Sequence, residues 1–408
     1  RQGAVGRQPR PEYSGTKAII VNYALSERQI EIREATLKLC SRFDDGYWLE
    51  HDRSGEFPHD FHAALAAGGW LGIAMPEEVG GSGLGISDAA VMMQAIAESG
   101  AAMGGASAVH MNIFGLHPVV VFGSDAQKHR MLPPLIRGEH KACFAVTEPD
   151  AGLNTTQIKT AAKRQGSNYV LSGTKIWTST AQVANKVLIL ARTTASDQVR
   201  KRTEGLSLFY TDLDRAHVDI RLIPKMGRHA VDSNVVIFDG LVVPEDDRIG
   251  PEGDGFRSIL HGMNPERILV AAEAVGIGRV ALRKAADYAK ERIVFGRPIG
   301  QNQGIQHPLA RCWMHLEAAN LMVMRAGALY DAGQECAAEA NAAKYLAAEA
   351  AFTACETAVM TLGGMGYAAE YHVERYLREC MIPRIAPVSP HMIMNFIAER
   401  VLGLPKSY

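Results

Sequence analysis

Cys143-Phe144-Ala145-Val146-Thr147-Glu148-Pro149-Asp150-Ala151-Gly152, answered further on by Gly173-Thr174-Lys175-Ile176-Trp177-Thr178, is the stretch on which the fold turns. Residues 142–146 are short and apolar. Residues 169–177 alternate, with Val170, Ser172, Thr174 and Ile176 on one side and Leu171, Gly173, Lys175 and Trp177 on the other. Both patterns predict strands. Gln165-Gly166-Ser167-Asn168, just before the second, suits a hairpin turn. Each strand leaves through a Pro- or Gly-assisted turn that carries hydroxyl groups and backbone N–H donors. A flat redox cofactor needs such donors aimed at its ring heteroatoms, and an aromatic wall to exclude water. One strand ending in Thr is ordinary structure. Two such ends, one closed by Trp177, point to a cofactor seat.

Outward from this stretch the hydrophobic period changes twice. Residues 26–138 read as helical: Ser26 with Glu27 and Gln29 starts a helix carrying Ile30, Leu37 and Leu39. A helix over 61–71, a Gly-rich break at 80–85 and a helix capped by Ser87 follow. From Lys141 to about Arg248 the period is two, with further strands over 186–192, 206–211, 218–223 and 234–238. Long Ala-, Leu- and Met-rich helices follow over 264–292, 308–332 and 335–361, and a short last one opens at Ser389-Pro390. The fold expected is α+β: an N-terminal helical domain (23–140), a middle β-barrel or sandwich (141–255) and a C-terminal four-helix bundle (256–408). Residues 1–22, rich in Gly, Pro and Arg, read as a flexible tail, with a transit-peptide remnant as the other reading.

Composition fits an enzyme of two or three domains: 408 residues, 47% hydrophobic and 21% charged. A net charge of -1 argues against nucleic acid or an acidic membrane as a general partner. Six scattered cysteines without a C-x-x-C pair read as reduced core thiols in the cytoplasm, or in a mitochondrial matrix if the source is eukaryotic. No apolar run of membrane-spanning length stands out, so no span is expected. Gly81-Ser82-Gly83-Leu84-Gly85 follows no strand and lacks dinucleotide-loop spacing. The fourteen His form no metal-ligand spacing, and no metal is expected. Met314, Met322 and Met324 read first as core filler, although adaptable side chains also suit an acyl chain.

The two strand ends resemble the flavin-binding strands of the acyl-CoA dehydrogenases, and the resemblance extends from about Tyr23 to the C-terminus. Its other pieces are Gly69-Trp70-Leu71-Gly72-Ile73 with Pro76-Glu77-Glu78-Val79-Gly80-Gly81, then Glu291-Arg292 with Phe295-Gly296-Arg297, and Leu362-Gly363-Gly364-Met365-Gly366-Tyr367. The resemblance implies non-covalent FAD, an acyl-CoA substrate, a homotetramer and electron-transferring flavoprotein as acceptor. It places Phe144, Val146, Thr147, Trp177 and Ser179 around the flavin ring. Arg292, Phe295 and Gln303 fall in the segment that reaches the pyrophosphate and adenine of a neighbouring subunit's FAD. Gly363, Gly364, Ser389 and His391 fall near the dinucleotide. Met360 stands where Gln is common. Leu153, Asn264, Arg267, Pro387 and Val388 fall at substrate-facing positions.

Oxidising an acyl thioester at Cα–Cβ needs a base on the substrate face opposite the flavin. Many members of the family carry that Glu where this chain has Pro387. The isovaleryl- and long-chain-type branch takes it from the start of an earlier helix, which matches Asn264-Pro265-Glu266-Arg267 here. By itself Glu266 is a first-turn acid on a helix capped by Asn264 with Pro265 at N1; the resemblance makes it the catalytic base. Pro387 also lacks the N–H that binds the thioester oxygen in the family. Three readings stay open: dehydrogenation with Val388 N–H taking over, another thioester reaction such as desulfination, or a scaffold without turnover.

Overall fold

The computed structural model describes residues 24–407, so the tail expected over 1–22 lies outside the described residues. Seven helices come first: α1 (Glu27–Cys40), α2 (Asp45–Ser54), α3 (His59–Ala67), α4 (Ile86–Ile96), α5 (Ala102–His110), α6 (His117–Phe122) and α7 (Asp125–Ile136). Helix α1 opens on the expected capping box: Ser26 Oγ accepts from Gln29 N–H, and Gln29 Oε1 accepts from Ser26 N–H. Its buried face is Ile32, Thr36 and Cys40, whereas Ile30 stays exposed. The helix expected over 61–71 is two pieces. Helix α3 ends at Ala67, and Gly69 (φ +76°) leads into a single turn over Trp70–Gly72.

Helix α4 is not capped by Ser87. It starts at Ile86, and the Asp331 carboxylate from a distant helix accepts from Ile86 N–H (2.7 Å), Ser87 N–H (3.0 Å) and the Ser87 hydroxyl. Gly85 is required there, since a Cβ would stand 2.3 Å from Asp331 Oδ2. The helical run Ile86–Phe122, bent at Gly100 (φ +109°), is long and apolar enough to cross a membrane, contrary to the expectation from sequence. Its most apolar window is 78% buried inside the protein, as in a core helix.

The middle part is one eight-stranded sheet in the order β6-β7-β3-β2-β4-β5-β8, with β1 paired parallel to β4. The strands are β1 (Ala142–Ala145), β2 (Ala161–Gln165), β3 (Asn168–Ser179), β4 (Lys186–Arg192), β5 (Leu206–Asp212), β6 (Val218–Leu222), β7 (Ser233–Pro244) and β8 (Arg248–Ile249). The expected hairpin joins β2 to β3, with Gln165 opposite Asn168 and Gly166 at φ +61°. Both faces of β4 are buried. Leu188 and Leu190 pack with Leu132 and Leu135 of α7, while Val187 and Ile189 pack with Leu171 of β3 and Phe238 of β7. The sheet therefore curls back over itself, which explains why β4 is apolar at nearly every position.

The third part holds α8 (Gly255–His261), α9 (Met263–Glu291), a hairpin of β9 (Ile293–Val294) and β10 (Arg297–Pro298), α10 (Gln303–Asp331) and α11 (Ala337–Leu362). Short helices α12 (Val373–Glu379), α13 (Met381–Ile385) and α14 (Pro390–Phe396) follow, the last leading into a wider helical turn over Ile397–Val401. Helices α9, α10 and α11 pack on one another, and α4 joins them in one core. Packing is close where side chains vanish: a Cβ on Gly278 would stand 2.4 Å from Leu316 Cδ2, and one on Gly276 2.4 Å from Gln94 O. All six cysteines are buried and unbonded.

Candidate active site

The two strand ends singled out in the sequence meet. Ile176 N–H donates to Thr147 O (2.9 Å), and Lys175 Nζ donates to Val146 O (2.9 Å) and Glu148 Oε1 (3.0 Å). Glu148 also accepts from Lys159 N–H (2.6 Å) and Thr160 N–H (2.9 Å). Burial alone would raise the Glu148 pKa; the Lys175 charge and these backbone donors outweigh it and lower it. Burial brings Lys175 down to about 8, so the pair stays ionised at neutral pH. Lys175 has no site role in the sequence reading, although it shares a strand face with Leu171, and both are wholly buried.

Where β3 reaches this junction its register with β7 breaks between Lys175 and Thr178. Trp177 sits in that bulge at φ +61°, a strained backbone for an aromatic residue, and its side chain is 57% exposed. The Thr147 N–H and hydroxyl have no partner among the described residues. Phe144, half-buried, packs against both the helical core and the core beneath the sheet. Ser179 Oγ accepts from Arg228 Nη2 (2.9 Å), which leaves its proton free to donate. A projecting indole beside free donors fits a flat, hydrogen-bonding ring. Next to Lys159, a concavity of about 520 Å³ is lined by Lys163, Arg192 and Thr193 among others. It is basic, and Leu153, exposed, lies three residues before its first lining residue, Thr156.

The second cluster gathers around Glu266. Helix α9 is not capped by Asn264: it starts at Met263, only Gly262 separates it from α8, and Glu266 N–H donates to Gly262 O. Pro265 is therefore inside the first turn, and Asn264 Oδ1 accepts from Arg267 Nη1 instead (3.1 Å). The Glu266 carboxylate has no hydrogen bond or ion pair among the described residues. Its side chain keeps some exposure in a crowded setting. Burial pushes its pKa up to about 7, with Glu273 adding to the rise and Arg267 and Lys344 opposing it.

Lys344, on α11 and 1% exposed, escaped the sequence reading although a lysine amid a run of buried alanines is a signal. Its Nζ donates to Val388 O (2.6 Å), and burial brings its pKa down to about 8, with Arg267 acting the same way. Lys344 thus fastens the segment holding Pro387 beside Glu266. Val388 N–H has no partner among the described residues. Ser389 caps α14, accepting from Met392 N–H.

The remaining expected residues lie apart from both clusters. Arg292 ends α9, and Phe295 (φ +53°) with Gly296 (φ +80°) makes the two-residue turn of the β9–β10 hairpin. Phe295 is 99% exposed, and Arg292, Gln303 and His391 are exposed too. No hydrogen bond or ion pair ties Arg292, Phe295 or Gln303 to the strand ends among the described residues. Gly363 takes φ +60°, and nothing lies within 4 Å of a Cβ built on it or on Gly364. No cluster of three metal-ligating side chains occurs among the described residues.

Three family models match this chain: the acyl-CoA dehydrogenase N-terminal domain over residues 26–139, the middle domain over 143–241 and the C-terminal domain over 253–402. The chain is 37% identical to acyl-CoA dehydrogenase FadE12 of Mycobacterium tuberculosis over 94% of its own length and 98% of that protein's. Its fold is similar to butyryl-CoA dehydrogenase from Megasphaera elsdenii (TM-score 0.89, 27% identity, covering 94% of this chain and 100% of that one). It is also similar to an FAD complex of PigA (TM-score 0.88, 27% identity, covering 94% and 100%). The chain belongs to the acyl-CoA dehydrogenases, a family of flavin-dependent oxidoreductases.

Proposed function

We propose that this enzyme oxidises an acyl-CoA thioester to its trans-2-enoyl-CoA, with Glu266 as the base that takes the α-proton. The observation that carries this is the Glu266 carboxylate itself: unpartnered among the described residues and raised to about 7, where a proton is accepted and released at neutral pH. Non-covalent FAD, when bound at the strand ends, supplies the acceptor of the β-hydride. Thr147 offers its N–H and hydroxyl to the ring and Ser179 its hydroxyl proton, while Trp177 and Phe144 keep water out. Val146 carries the backbone between them. Val388 N–H binds the thioester oxygen in place of the N–H that Pro387 lacks, and Lys344 holds Val388 for that task. Asn264 and Arg267 line the same end. The basic concavity beside Leu153 suits the phosphates of CoA.

Arg292, Phe295 and Gln303 are poised to complete a neighbour's FAD site in a homotetramer, with Gly363, Gly364, Ser389 and His391 near the dinucleotide. A side chain as exposed as Phe295 at the tip of a tight hairpin supports that reading. The domains are taken as 23–140, 141–255 and 256–408, electron-transferring flavoprotein as the acceptor and a reducing cytoplasm as the setting. Arg292→Ala should then lose FAD and weaken assembly together; a monodisperse monomer with full flavin occupancy would contradict it.

Anaerobic mixing with a panel of acyl-CoAs tests the reaction. Bleaching of the flavin with enoyl product is expected. Turnover without net reduction identifies another thioester reaction such as desulfination, and no response a scaffold. Glu266→Gln should bind substrate yet slow flavin reduction by several orders of magnitude.

A further inference from the structure

One buried cation is unlike the others. Lys175, Arg192, Lys344 and Arg375 each donate to a carboxylate or to a backbone carbonyl oxygen. Arg228, equally buried, donates only to neutral hydroxyls among the described residues: Ser107 Oγ (3.2 Å), Ser179 Oγ (2.9 Å) and Ser233 Oγ (2.9 Å). Its Nε is buried without a partner. Asp232, Glu379 and Glu273 act on it by charge, yet none of them forms an ion pair with it among the described residues. Lys225 also donates to Ser233 Oγ (3.1 Å) and brings a second positive charge alongside.

The fold holds this cation in place. Arg228 takes φ +57°, a strained backbone for a residue with a side chain. On one side Arg378 Nη1 of α12 donates to Met226 O (3.2 Å). On the other, the His229 ring lies within hydrogen-bond distance of Lys225 O and Asp52 O (2.9 Å each). With both flanks tied down, the guanidinium stays inside. Ser107 and Ser233 are buried as well, whereas Ser179 is partly exposed at the end of β3, two residues past Trp177. The Ser179 hydroxyl is thus the outlet of the charge toward the strand ends.

Packing alone gives no reason for such a cation. A buried charge without a counter-ion is costly, and apolar residues of similar volume are often as stable or more so. Arginine does not escape the cost by losing its proton. The proposed reaction supplies the missing anion. The α-proton goes to Glu266, the hydride leaving Cβ carries two electrons and one proton, and the acyl group closes to the enoyl double bond. One negative charge is left on the hydride acceptor. A cation desolvated and fixed beforehand favours that charge without having to reorganise.

We propose that Arg228 is a positioning residue that raises the reduction potential of the bound flavin, acting through the Ser179 hydroxyl. This rests on the flavin seat read above and adds the group that sets its potential. Ser179 Oγ accepts from Arg228, so its own proton points away from the guanidinium, and the positive charge strengthens it as a donor.

The test is the midpoint potential of bound FAD, measured by dye equilibration with no acyl-CoA present. Arg228→Met should shift the balance toward oxidised flavin by about tenfold to a hundredfold, a fall of about 30–60 mV for a two-electron couple. Arg228→Lys keeps the charge and should recover more than half of that fall. Ser107→Asp leaves the guanidinium in place and gives it a counter-ion. Because it pairs a buried charge it should fold, and its potential should fall about as far, which decides the matter where Arg228→Met does not fold. Potentials within about twofold of the parent's balance, about 9 mV, in the Met and Asp variants overturn the inference. So does an Arg228→Lys as low as Arg228→Met, which would make the shift a matter of packing. A parent that takes up no FAD overturns the flavin seat and this inference with it. A parent bleached by acyl-CoA, with potentials unmoved in the variants, overturns this inference alone.

Discussion

Glu148 and Glu266 stand in the two motifs that matter most in this chain, and the fold treats them in opposite ways. Glu148 is held by the Lys175 ammonium and by the backbone N–H groups of Lys159 and Thr160. Its pKa is lowered, and its carboxylate ties the two strand ends into one turn. Glu266 has none of these partners among the described residues, and burial raises its pKa to about 7. A carboxylate surrounded by donors is fixed as an anion and builds structure. One deprived of them can exchange a proton near neutrality.

The largest expected effect breaks the structural member of the pair. Lys175→Met leaves the Glu148 charge buried without its cation, which should cost about 3–5 kcal/mol of stability. Chemical denaturation measures it; a loss under about 1 kcal/mol would mean that the backbone donors suffice. Glu266→Gln should do the reverse. The folded-state pKa of Glu266 is raised from 4.5 to about 7, so its contribution is present below pH 4.5 and lost as pH rises through 7. The parent should lose about 3 kcal/mol across that window through this group, and the Gln variant should not. Stability curves that stay parallel between pH 5 and 8 would contradict it.

A smaller effect sharpens the comparison. Lys344→Met releases Val388 O and removes a cation that holds the Glu266 pKa down. Flavin reduction should slow by about tenfold to a hundredfold, and the midpoint of its pH profile should move upward. A slower variant with an unmoved midpoint would make Lys344 purely structural.

Much of this architecture is local and therefore legible in sequence. Strand 186–192 stands out because both its faces are buried, and the caps at Ser26 and Ser389 use groups within three residues. What was misread depends on distance. The N-terminus of α4 is satisfied by Asp331, 244 residues from Ser87, and no local pattern predicts that. Asn264 looks like a cap, but Gly262 keeps a helical backbone and is the one residue between α8 and α9. Ile30 is an apolar residue on the wrong side of α1. Of the candidate site, Glu266, Thr147 and Trp177 were visible as residue types in motifs. Arg228 and Lys344 were not, and Lys175 stood there only as a place in the strand alternation, because a buried cation is defined by the carbonyls, hydroxyls and carboxylates that long-range packing brings to it.

The central claim is that Glu266 takes the α-proton from a site tuned to about 7. The pH dependence of flavin reduction by a saturating acyl-CoA, followed in a single anaerobic turnover, tests it most directly. The rate should climb about tenfold per pH unit at low pH and level off above a midpoint near 7, with the slope absent from the residual rate of Glu266→Gln. A parent profile flat down to pH 5, or a Gln variant that keeps both the rate and the slope, would contradict the claim.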